Sequence, residues 1–338
     1  MLNMLEVIMT IPSFKILKRN AAERVAAAEN SRKIVLVYAG IVTVLALLVT
    51  VVNYVLKLQI AQLGGLGNMG LRSMLSTVQS VLPMVQSVVV MCLNLGFIAA
   101  MVRLSRQQYA SEHTLKLGFD RFWVLIRQSL LQGLLYMLVG FAAFWVSMPI
   151  YLLTPLSNGL LDMVTPEMAD PNVLMELLQD AAFAQQVTSA MMPMFLIFGL
   201  LYAGLFIPLS YALRMTQYVI IDKPGQGALF AMKESAKMMR GSRMRLFKLD
   251  LSLWWWYALS VASTALCYGD TLLPMAGISL PFSEDVAYFV FYILFLIVQF
   301  LACYFLRSRI EVVYAQVYNA LKPREKETGV VLGNIFQM

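Results

Sequence analysis

The sequence predicts an all-α, polytopic membrane protein: a bundle of six transmembrane helices with amphipathic helices at its interface. Composition is the first observation behind this. Of 338 residues, 60% are hydrophobic and 13% charged, about half the charge of an ordinary soluble domain, and mean hydropathy is +0.72. Too little polar material exists to cover a soluble globule, and disordered, collagenous and disulfide-scaffold classes are excluded as well. The second observation is six apolar runs, each able to supply the roughly 20 residues that cross about 30 Å of hydrocarbon. The third is the distribution of Lys and Arg, which collect on one side of those runs.

The elements follow in order. The leading run from Met1 to Ile11 lacks a basic flank and a small-residue cleavage site, so it does not read as a cleaved signal. Phe14, Leu17, Ala21, Val25 and Ala28 then recur at spacings of three and four, with Lys15, Lys18, Arg19 and Arg24 on other faces. This is a basic amphipathic helix within a cytoplasmic N-terminal segment, residues 1–33. The transmembrane domain covers 34–306. Its spans are read at 34–55, 81–101, 126–153, 191–221, 249–268 and 286–306. The fourth is too long for a straight crossing, and Pro208 offers a kink. Residues 307–338 read as a cytoplasmic tail.

Orientation comes from the basic residues. With the N-terminus inside, every Lys and Arg except Lys57 and Arg72 falls on the inner side or near it. Both termini are therefore expected in the cytoplasm. The outer loop at 154–190 holds no Lys or Arg but carries Asp162, Glu167, Asp170, Glu176 and Asp180. Asp170-Pro171 reads there as the start of a short amphipathic helix. The inner connector, 222–248, is the opposite. It opens with a turn at Asp222-Lys223-Pro224-Gly225, continues as a helix to Arg240 with Gly241 as its left-handed cap, and runs on through Arg243 to Lys248. Lys233, Lys237, Arg240, Arg243, Arg245 and Lys248 make it a candidate surface for anionic lipid or a protein partner.

That connector also carries a resemblance. Met232-Lys233-Glu234-Ser235-Ala236-Lys237-Met238-Met239-Arg240-Gly241, then Arg245-Leu246-Phe247-Lys248-Leu249-Asp250-Leu251-Ser252 and Trp256, resembles the signature of an uncharacterised bacterial membrane family, domain of unknown function 975. Gly118 to Phe122 and Tyr314 to Leu321 match it less sharply. The chain departs after Trp256, where members carry a glycine-rich turn and a Pro-Tyr pair, and the loop at 154–190 looks like an insertion. The resemblance implies six helices, a bacterial membrane and no known activity. Basic amphipathic stretches at 14–33, 112–127 and 228–248 each precede a helical hairpin. A threefold duplication would explain this, and so would the ordinary basic character of inner loops.

Chemistry has little to work with. His113 is the single histidine, no catalytic or phosphate-binding motif occurs, and Cys92, Cys267 and Cys303 lie in apolar runs without paired spacing. No catalytic residue, metal or cofactor is predicted, and the net charge of +7 points to anionic lipid rather than nucleic acid. A second candidate site is intramembrane and polar: Arg214, Asp222, Asp250 and Trp256. Arg214 either snorkels to the inner surface or pairs with an acid such as Asp250. The expectation is a non-enzymatic protein of the bacterial cytoplasmic membrane. It would be a lipid- or partner-binding scaffold, or an accessory subunit of an envelope or export complex, with homo-oligomerisation open. The alternative is a small transporter of an apolar or amphipathic substrate; an intramembrane lipid-modifying enzyme ranks third.

Overall fold

The computed structural model describes residues 12–28, 30–63, 68–161, 181–275, 277–278, 281 and 283–322. Among these residues all regular structure is helical. The helix expected from Asp170-Pro171 lies outside them, as do Arg324 and Lys326. Among the described residues, five helical stretches are long and apolar enough to cross a membrane: Ser31–Gln62, Met69–Ser105, Phe122–Leu152, Gln185–Asp222 and Asp285–Leu321. The chain divides into two compact units, residues 1–125 with 215–338, and residues 126–214.

The first unit opens with α1 (Phe14–Ala27), whose Leu17 and Ala21 are buried, so the three-to-four spacing does mark its inward face. Helices α2 (Ser31–Gln62) and α3 (Met69–Ser105) pair as a long hairpin. After α3 the chain turns back, and a 3-10 turn (Glu112–Lys116) and α4 (Leu117–Asp120) lie against its final turns. Two glycines permit that approach. A Cβ on Gly96 would collide with the Leu115 carbonyl, and one on Gly118 with that of Cys92.

The second unit contains most of α5 (Phe122–Leu152), then α6 (Asn158–Leu161) and α7 (Ala181–Leu213). Aromatic rings interleave α5 with α7. Tyr136 meets Phe206 at 4.7 Å and Phe144 meets Phe198 at 6.3 Å between ring centroids, and the Tyr151 hydroxyl donates to the Ala190 carbonyl. A hydrogen-bonded ladder of Gln128, Gln132 and Tyr136 runs along α5. The apolar windows of these two long helices are 11% and 6% buried. Exposure that complete is what hydrocarbon-facing helices have.

Pro193 and Pro208 both lie inside the fourth run's helix. Helix α7 continues through both, and the interruption comes at Arg214–Met215. A proline removes one backbone donor, and a long helix absorbs that loss. The freed Met215 amide instead donates to the buried Ser235 hydroxyl at 3.1 Å, which stabilises the break.

The first unit resumes with α8 (Thr216–Asp222), α9 (Ala228–Met238), α10 (Arg243–Leu251) and α11 (Trp254–Cys267). Gly241 has φ +83°, the left-handed conformation that its position after α9 calls for. The fifth predicted span is divided. It begins in α10, and a turn at Ser252–Leu253 precedes the 14-residue α11. Lys18 of α1 donates to the Ser252 carbonyl at that turn, at 2.7 Å. Helix α12 (Gly269–Met275) follows, then α13 (Glu284–Ala302), a π-helical turn (Cys303–Arg307) and α14 (Ser308–Leu321). Residues 308–321, within the segment read from sequence as a tail, form a packed helix. Ile310, Val312, Val313, Tyr314, Ala315, Val317, Tyr318 and Leu321 are all buried, and α14 packs on α1 and α3.

Candidate functional site

The polar interior of the first unit is arranged around α14. At its C-terminal end stands Asp222, the last residue of α8, with its side chain 6% exposed. The Arg106 guanidinium donates to both carboxylate oxygens, at 2.8 and 2.9 Å. The Tyr318 hydroxyl donates to Oδ2 at 2.9 Å, and Lys322 Nζ lies 3.0 Å from the same atom. Arg106 Nε donates to Asn319 Oδ1, and Asn319 donates in turn to the Ser105 hydroxyl. Hydrogen bonding to Asp222 holds the Arg106 guanidinium above its ordinary value. Arg121 donates to the Ile220 and Ile221 carbonyls at the C-terminal end of α8, where a cation suits the helix dipole. Burial lowers the Arg121 guanidinium.

One turn earlier, Tyr314 donates to Asp250 Oδ1 at 2.5 Å and lies 3.2 Å from the Tyr257 hydroxyl. Still earlier, Glu311 accepts from Tyr218, which stacks on Tyr318. Arg307, in the π-helical turn, donates to Asn94 Oδ1 at 2.5 Å. Its guanidinium carbon lies 5.0 and 5.5 Å from the Tyr38 and Phe97 ring centroids. Three C-terminal extensions thus meet at one carboxylate. Arg106 follows α3, Asp222 ends the stretch after α7, and Tyr318, Asn319 and Lys322 come from the stretch after α13.

The residues named from sequence fall into two sets. Lys233, Lys237, Arg240, Arg243, Arg245 and Lys248 are all exposed. Among them stand exposed Met244 and Phe247, with exposed Leu251 and Trp254 just beyond. Leu246 and Leu249, on the other side of α10, are fully buried. This surface is both cationic and apolar.

Arg214, Asp222, Asp250 and Trp256 are less unified. Asp222 and Asp250 bond to different tyrosines of α14, Trp256 is half-buried at the start of α11, and Arg214 is exposed at the break after α7. Sequence reasoning missed Arg106, Arg307, Glu311, Tyr314 and Tyr318 as interior groups. For α14 a signal existed: Ile310, Val313, Tyr314, Val317, Tyr318 and Leu321 recur at helical spacing. For the pairing of Arg106 with Asp222, 116 residues apart, none did.

Residues 43–325 match the family described as protein of unknown function (DUF975). No curated protein and no solved structure matches the chain.

Proposed function

The chain belongs to that family, DUF975, and from this footing we propose that it is a non-enzymatic, multi-pass protein of the bacterial cytoplasmic membrane. Its basic cytoplasmic face holds anionic lipid and docks a protein partner, as in a scaffold or an accessory subunit of an envelope or export complex. The observation that carries the reading is the surface of α9 and α10. Six cations there stand exposed beside exposed Met244, Phe247 and Trp254, whereas the carboxylates Asp222 and Asp250 are turned inward and bonded. Such a surface suits the boundary of an anionic leaflet, where each Lys or Arg contributes about 1 kcal/mol.

In this reading the membrane is crossed six times with both termini inside. The fifth crossing uses α11 and α12 together, 14 and 7 residues, about 31 Å at 1.5 Å per residue. The helices α1, α9 and α10 then lie at the inner interface.

Native mass spectrometry tests the lipid claim. Replacing Lys237, Arg240, Arg243 and Arg245 by Gln should reduce co-purified anionic lipid relative to wild type, with the difference shrinking at high salt. Equal retention by both proteins contradicts it.

A second reading, a small transporter of an apolar or amphipathic substrate, draws on Arg307. A cation held within a span among Tyr38, Phe97 and Asn94 is the kind of group that marks a substrate path. Transport requires water to reach it. An Asn94→Cys protein lacking the native cysteines would then react with a small charged thiol reagent, whereas a closed bundle leaves it unlabelled.

A further inference from the structure

Arg307 lies within the stretch Asp285–Leu321, long and apolar enough to cross a membrane, where a charge is ordinarily paired. Among the described residues no carboxylate stands within ion-pair distance of its guanidinium. Glu311, one helical turn on, accepts from the Tyr218 hydroxyl instead. The company of the guanidinium is neutral: Asn94 Oδ1, the Cys303 thiol and the rings of Tyr38 and Phe97. A second observation stands beside it. Tyr38 is 1% exposed, and its buried hydroxyl makes no hydrogen bond. That hydroxyl lies against the guanidinium but without hydrogen-bond geometry, so its proton reaches no acceptor. A buried donor left unused is destabilising and calls for an explanation. The turn that presents Arg307, Cys303–Arg307, is also π-helical, a form that occurs frequently at functional sites.

One charged and one neutral donor thus converge where the chain supplies no anion. We propose that Arg307 and Tyr38 bind a small monovalent anion of the halide class. One negative charge balances one guanidinium, and the guanidinium N–H groups and the phenolic proton can all point at a single spherical acceptor. The surroundings set the size. Tyr38, Phe97 and Cys303 are 1%, 0% and 8% exposed, and the Tyr38 and Phe97 rings stack at 4.5 Å. Packing this close leaves no place for the organic body of a carboxylate or a phosphate ester. The ion belongs to the interior of the bundle. Its binding rests neither on the α9–α10 surface nor on transport.

Equilibrium dialysis of the full chain in a maltoside detergent against radiolabelled chloride tests this, with gluconate holding the ionic strength constant. Wild type should bind chloride saturably, at one site per chain. Tyr38→Phe keeps the ring and removes only the hydroxyl. It should weaken binding about tenfold, the effect of losing one hydrogen bond to a charged group. Arg307→Gln should abolish binding. The protein with Lys237, Arg240, Arg243 and Arg245 replaced by Gln should bind as wild type does, which separates the interior site from counterions at the basic surface. Melting gives a second reading should Arg307→Gln fail to fold. Exchanging gluconate for chloride should raise the melting temperature of wild type, because a ligand of the folded chain alone stabilises it, and should raise that of Tyr38→Phe less. Absence of saturable chloride binding to folded wild type overturns the proposal. So does equal affinity in wild type and Tyr38→Phe, or loss of binding in the protein with the four surface replacements.

Discussion

Asp222 accepts hydrogen bonds from Arg106, just after α3, and from Tyr318 of α14, and pairs with Lys322 beyond α14, while nearly closed to solvent. A carboxylate so placed stabilises the fold only while its partners are present. Removing one partner leaves charge that water cannot reach, at a cost of about 3–5 kcal/mol where burial is complete. Arg106 retains some exposure and Lys322 remains after its loss, so Arg106→Gln should cost about 2–3 kcal/mol, read as a lower melting temperature in detergent. Replacing both partners, Arg106→Met with Asp222→Leu, should cost less than the sum of the two single changes. By contrast, Arg214→Leu alters an exposed side chain and should stay within about 1 kcal/mol of wild type. Ser235 is buried and takes the Met215 amide at the helix break. Ser235→Ala should therefore cost about 1–2 kcal/mol, the penalty for a buried donor left without its acceptor.

At the scale of elements, close backbone approach is what locks the re-entrant turn against α3. Gly96→Ala and Gly118→Ala each place a methyl group on a main-chain carbonyl, which no rotamer change relieves. Each should cost about 2–3 kcal/mol or more, comparable to overpacking a core. Gly133→Ala and Gly199→Ala meet nothing within 4 Å and should gain up to about 1 kcal/mol of helix propensity. Differential melting of these four proteins separates packing from propensity.

The same scale shows what the sequence made legible. Long apolar runs announced the helices because length and hydropathy are local properties. Gly241 announced its cap because a left-handed position after a helix favours glycine, the residue without a Cβ. Helical structure continues past 306 through Leu321, a continuation hard to read locally because Arg307, Arg309 and Glu311 resemble the charged edge of a span. In the structure Arg307 and Glu311 instead turn toward Asn94 and Tyr218. Asp222 was noticed from its position beside a turn, yet its partners Arg106 and Tyr318 are 116 and 96 residues away. No local pattern encodes such distances.

At the scale of the molecule, three sequence-distant helix extensions converge on Asp222, an arrangement that a threefold repeat of surface helix plus hairpin would produce. The functional account depends on which side of the membrane that convergence faces. The basic α9–α10 surface belongs to the inner leaflet in this account, and the α5–α6 turn to the outside. Single cysteines at Lys237 and Leu153, both exposed, in a chain lacking Cys92, Cys267 and Cys303, can be probed on intact cells with an impermeant thiol reagent. The account predicts labelling at 153 in intact cells, and at 237 only after the membrane is opened. Labelling at 237 but not at 153 in intact cells would contradict it.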